Sequence, residues 1–76
     1  MNEIPKTSTD KFCCPCCGER ILESRGTYEI CPICDWEDDG ADEDFEGMEY
    51  GPNGGWLLSE ARRNFRETGR YDRGSV

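Results

Sequence analysis

Two motifs of one form, Cys14-Pro15-Cys16-Cys17 and Cys31-Pro32-Ile33-Cys34, constrain this chain more than any other feature of it. Each sets two thiols on a tight turn, and thirteen residues lie between the pairs. Two Cys-x-x-Cys knuckles so placed present four sulfurs to one tetrahedral ion, with metal–sulfur distances near ~2.3 Å. The direct reading is a four-thiolate site for Zn2+. Iron is the rival metal, because rubredoxin-like electron carriers use the same arrangement.

A staple of this kind is what the rest of the chain needs. Seventy-six residues make one domain, and at that length an apolar core alone rarely supplies more than a few kcal/mol. The hydrophobic fraction is 34% and includes all six cysteines, so the interior is thin. The N-terminal residues carry no signal-peptide pattern, and no run approaches the length of a membrane span. The expectation is a soluble, cytoplasmic protein, in a reducing setting that favours metal over disulfides.

Which cysteines ligate is not settled by spacing, since Cys13 stands to Cys16 as Cys14 stands to Cys17. The residue after the second cysteine of a knuckle often adopts a left-handed conformation so that N–H groups turn toward the sulfurs. Glycine does this freely and aspartate tolerates it. Gly18 follows Cys17 and Asp35 follows Cys34, which selects Cys14, Cys17, Cys31 and Cys34. Cys13 and Cys16 are then additional thiols: small packing residues, or a redox-reactive or second metal position.

Read in order, residues 1–11 form a flexible polar arm, 12–69 the folded unit and 70–76 a polar tail. Glu19 to Arg25 and Thr27 to Cys31 alternate about Gly26, which predicts a β-hairpin with Leu22 and Tyr28 or Ile30 on its buried face. Trp36 extends the second strand and covers the metal. Asp35 to Tyr50 is a loop with nine acids and no base, tacked down by Phe45, Met48 and Tyr50. Gly51-Pro52-Asn53-Gly54-Gly55 is a turn, and Leu58 to Thr68 a helix closed by Gly69. Leu58, Ala61 and Phe65 form its apolar stripe. Arg62 lies beside that stripe, so its guanidinium needs an internal carboxylate, the nearest being around Glu37 to Asp39. With Trp36 it makes a structural latch.

The formal net charge is −8, and four thiolates on a dication take it to about −10. That balance disfavours nucleic acid and anionic lipid and favours a basic or mixed-charge protein partner. Asp38, Asp39, Asp42, Glu43, Asp44 and Trp56 are the candidate partner-binding residues. The acidic loop lacks the glycine and glutamate spacing of an EF-hand.

Cys14-Pro15-Cys16-Cys17-Gly18, Ile30-Cys31-Pro32-Ile33-Cys34-Asp35-Trp36-Glu37-Asp38-Asp39-Gly40, Gly51-Pro52-Asn53-Gly54 and Ser59-Glu60-Ala61-Arg62-Arg63-Asn64-Phe65 together resemble the cysteine-rich CPCC family of small bacterial proteins. The resemblance implies a compact zinc-ribbon-like domain, an acidic loop and a helix packed back upon it. It also marks one departure: a serine is usual where this chain has Leu57. Loss of that helix N-cap costs about 1 kcal/mol unless Ser59 takes over the capping role.

The expected protein is thus a small α+β, metal-stabilised, rubredoxin-like zinc ribbon with one C-terminal helix, serving as a non-enzymatic module that binds another protein. An immunity or antitoxin-like protein neutralising a basic toxin surface is one alternative, and an electron carrier the other. Catalysis ranks below all three. The chain has no histidine, and a closed four-sulfur site leaves no open metal position for water.

Overall fold

The computed structural model describes residues 11–73. Apart from Lys11, the expected arm lies outside the described residues, as do positions 74–76 of the expected tail. Strand β1 (Phe12–Cys13) pairs antiparallel with β2 (Arg20–Leu22). Phe12 faces Leu22 and Cys13 faces Arg20, so Ile21 is the extra residue of a bulge.

This pairing corrects the expected hairpin about Gly26. Each knuckle sits at the tip of its own ribbon: β1 and β2 enclose the first, and residues 28–31 return against 36–38 around the second. The second ribbon is held by hydrogen bonds from Tyr28 N to Asp38 O (2.9 Å), Asp38 N to Glu29 O (3.0 Å) and Cys31 N to Trp36 O (2.9 Å), with Ile30 bridging Glu37. Tyr28 has a φ of 65°, which breaks the extended run a hairpin about Gly26 would need. Glu29 Oε1 accepts from the N–H groups of Glu23 and Ser24 at 2.9 and 3.2 Å, curling that segment back on itself. Leu22 is buried as expected, whereas Tyr28 and Ile30 are each 57% exposed.

Asp38 holds this region together. Its carboxylate accepts from Arg25 Nε at 2.7 Å and from the N–H groups of Gly26 and Gly40 at 2.9 and 3.0 Å. The two glycines are so close that a Cβ on Gly40 would lie 3.3 Å from Gly26 Cα, and Gly40 has a φ of 93°. No other residue fits there without strain. Arg25 also pairs with Asp42 at 3.0 Å.

The helix α1 spans Leu58–Thr68 and ends on Gly69, whose φ of 88° is the expected left-handed cap. Leu58 and Ala61 are buried, Phe65 is half-buried, and Asn64 is buried among them. At the helix start the missing serine is replaced from outside. Asp44 accepts from Ser59 N (2.8 Å) and Ser59 Oγ (2.6 Å). Leu58 N donates to Met48 Sδ at 3.2 Å, and the Glu60 carboxylate accepts from Leu57 N at 2.8 Å. Three of the orphan donors of this terminus are thereby met. Met48, on a 3-10 turn at Met48–Tyr50, is buried, but Phe45 and Tyr50 are exposed and do not pin the loop.

Among the described residues nine hydrophobic ones are buried: Leu22, Trp36, Met48, Leu58, Ala61 and four cysteines. Sulfur therefore makes up much of the interior. Arg70 and Tyr71 pack against the second knuckle, and Arg73 folds back on Asn64 and Glu67 of the helix.

Candidate metal centre

The two knuckles are built alike, bond for bond. Cys16 N donates to Cys14 Sγ at 3.4 Å and Ile33 N to Cys31 Sγ at 3.3 Å. Gly18 N donates to Cys14 O and Asp35 N to Cys31 O, both at 2.8 Å. The residues after the second cysteines, Gly18 and Asp35, have φ of 84° and 74°, the left-handed turn expected at those positions. Proline after the first cysteine fixes φ where no internal N–H is needed.

These turns bring Sγ of Cys14, Cys17, Cys31 and Cys34 within 4.8 Å of one another. Cys14 and Cys34 are 3.7 Å apart, and Cys17 and Cys31 3.8 Å. Four sulfurs set about 2.3 Å from a central ion form a tetrahedron with edges of about 3.8 Å, so the donors are spaced for one ion. Cys13 is exposed on β1 and Cys16 is buried beside the cluster; neither belongs to the group of four.

The donor set fits a cation on electrostatic grounds too. The contact with Cys34, then burial, raises the Cys14 thiol far above its ordinary range. Burial pushes Cys17 up to about 12 against the N–H of Glu19. For Cys34 the contact with Cys14 works the other way, and the contact with Cys16 together with burial outweighs it. Thiols crowded in this manner ionise only when positive charge sits among them.

Trp36 is wholly buried with the cysteines and meets Tyr71 edge to face, centroids 5.7 Å apart. Its Nε1 is buried without a hydrogen-bond partner. Tyr71 N donates to Cys34 O at 3.1 Å, Arg70 pairs with Asp35 at 2.8 Å, and Asn64 Nδ2 holds Tyr71 O at 2.8 Å. Arg70 and Tyr71 thus roof the second knuckle, a role the polar composition of this stretch does not announce.

Arg62 does not find a carboxylate in Glu37 to Asp39. Nε donates to Pro15 O at 2.8 Å and Nη2 to Asp42 O at 2.9 Å, tying the helix to the first knuckle and to the acidic loop through one backbone carbonyl each. Asp38, placed among the partner-binding residues, is buried on Arg25 and has no surface to offer. Asp39 Oδ1 accepts from Ala41 N at 3.1 Å, Asp42 pairs with Arg25, and Asp44 caps the helix. Glu43 is exposed and Trp56 half-buried. Arg25 is the residue that sequence reasoning missed. Its signal was that it is the last base before a segment with none until Arg62.

The family model for cysteine-rich CPCC proteins matches residues 12–76. The chain belongs to this family. No curated protein and no solved structure matches it. Within this CPCC protein both the duplicated knuckle and the helix that spans it fall inside the matched region. No helix among the described residues is long and apolar enough to cross a membrane.

Proposed function

We propose that this CPCC protein is a non-enzymatic, zinc-ribbon-like module in which one Zn2+ on Cys14, Cys17, Cys31 and Cys34 completes the fold and leaves the surface for binding another protein. The observation that carries the reading is the four-sulfur cluster itself, spaced for a tetrahedral ion and lying within 4.8 Å. Four thiolates fill the coordination shell of zinc, which supports a structural site over a catalytic one. The ion would neutralise charge that burial otherwise forbids, and the chain's own N–H groups from Cys16 and Ile33 orient two of the four sulfurs.

The toxin-neutralising alternative draws less support, because Asp38, Asp39, Asp42 and Asp44 are engaged within the fold. The test is native mass spectrometry of protein taken directly from cells, with absorption spectra on the same sample. The expected result is one zinc per chain, no visible colour and a protein companion. A red, redox-active holo-protein would replace the module with an electron carrier.

A further inference from the structure

The second ribbon is a ladder with one side closed and the other open. Ile30 and Glu37 face each other between the bonds from Cys31 N to Trp36 O and from Asp38 N to Glu29 O. A pair so flanked turns its own N–H and C=O groups away from its partner. On the Glu37 side those groups are met by one amide: Glu37 N donates to Asn53 Oδ1 at 2.8 Å, and Asn53 Nδ2 donates to Glu37 O at 2.9 Å. On the Ile30 side the corresponding N–H and C=O have no partner among the described residues.

Above this rung lies a cleft of about 310 Å³ lined by Ile30, Asp35, Glu37, Asn53, Arg70 and Tyr71. Arg70 is neutralised there by Asp35 and Asp72. The Glu37 carboxylate has no ion pair or hydrogen bond among the described residues, and the cleft walls at Ile30 and Tyr71 are apolar.

We propose that the Ile30 edge receives an extended segment of a basic protein partner, which adds a strand opposite Ile30 and lays a lysine or arginine over it into the cleft toward Glu37. This rests on the interaction-module reading and names the surface it uses. Strand addition supplies backbone bonds from a single open rung, and the side chain opposite Ile30 falls on the cleft face because facing residues share a face. Glu37 then lies two strand spacings away, about 10 Å, within reach of a long cationic side chain and a carboxylate stretched toward each other. The net charge of −8 opposes a second copy of this chain on the same edge.

The test is a titration of the zinc-loaded, 15N-labelled protein with a short peptide alternating valine and threonine about a central lysine. The control is the same peptide N-methylated at alternate residues, which keeps the charge and loses the backbone donors. The unmethylated peptide is expected to shift the Ile30 amide resonance and slow its exchange with water. Glu37→Gln should weaken binding roughly threefold to fivefold, as loss of one partly exposed ion pair does. Ile30→Pro removes the open N–H without breaking an internal bond and should abolish the peptide-induced shifts of the neighbouring Cys31 and Glu37 amides, which the variant keeps. If that variant loses zinc, Glu37→Gln still decides, since its carboxylate supports nothing in the fold.

Equal binding of the methylated peptide, or shifts confined to the acidic loop, would overturn the proposal. So would a shift of Ile30 that tracks protein concentration without peptide, which assigns the edge to self-association. A native companion retained equally by wild type and Ile30→Pro removes this edge but leaves the module standing. A native preparation with no companion removes the module, while the peptide titration still judges the edge.

Discussion

The two knuckles share their hydrogen bonds to within about 0.1 Å, yet their surroundings differ. The first is flanked by the exposed β1 and by β2, keeps Cys17 half-exposed, and is tied to the helix by Arg62 on Pro15 O. The second has both cysteines buried under Trp36 and Tyr71, with Arg70 bridging Asp35 outside. A knuckle is thus a local product of six residues, whereas protection of its sulfurs is supplied by distant ones. The helix joins the two, its first half serving the first knuckle and its C-terminal end the second.

The largest effect expected breaks both knuckles at once. Structural zinc contributes roughly 10–16 kcal/mol of apparent binding free energy in small domains, so a strong chelator, or Cys31→Ser, should remove ion and fold together in circular dichroism. By contrast, the double variant Cys13→Ser/Cys16→Ser should keep one metal per chain in native mass spectrometry. Metal loss in that variant would reassign the ligands.

The next tests act on one knuckle each. Trp36→Ala empties the roof of the second and should cost about 3–5 kcal/mol. Arg62→Ala removes the charge-assisted bond that ties the first to the helix, together with a second to the acidic loop, and should cost about 1.5–3 kcal/mol. Melting curves on the holo-protein rank them, and equal losses would erase the distinction between a roofed knuckle and a tied one.

A smaller effect concerns the bridge between them. Asp44→Ala strips the helix start of its borrowed cap and should cost about 0.5–2 kcal/mol. Bonds from the Ser59 hydroxyl and N–H lower the Asp44 carboxyl. Asp38 is lowered as well, the Arg25 guanidinium and two glycine N–H groups overcoming burial. Both are depressed, so their contribution is complete above the unfolded carboxyl pKa of about 4 and fades as pH falls below it. Thermal melts of wild type and Asp44→Ala should therefore converge in acid. A constant gap across pH 6 to about 3 would show that the cap works without its charge.

The smallest effect sharpens the comparison without mutation. Amide exchange should be faster at Gly18 than at Asp35, and N-ethylmaleimide should label Cys13 first and Cys17 before the other three ligand thiols. Reversal of either order would mean that the roof does not protect.

Much of the site was legible because knuckles obey short-range rules. Cys-Pro-x-Cys followed by Gly18 or Asp35 predicts the turns and the left-handed residues found there, and Gly69 marks the helix end correctly. The hairpin about Gly26 failed because alternation of Tyr28 and Ile30 states only that side chains take opposite sides, not which strand lies alongside. The Arg62 assignment failed for a related reason. A buried guanidinium needs acceptors, and two carbonyls satisfy it as well as a carboxylate does.

Asn53 illustrates the same limit. In sequence it reads as turn chemistry, yet its amide stands in for a missing strand beside Glu37. What the amino-acid order determined by itself was the pair of knuckles and the helix span, since each depends on neighbours a few positions apart. Only the tertiary structure decided that Arg25 goes to Asp38, Asp44 to Ser59 and Tyr71 to Cys34. Those pairs lie 13 to 37 residues apart, and their choice follows from which polar groups are left unmet once the chain closes around its sulfurs.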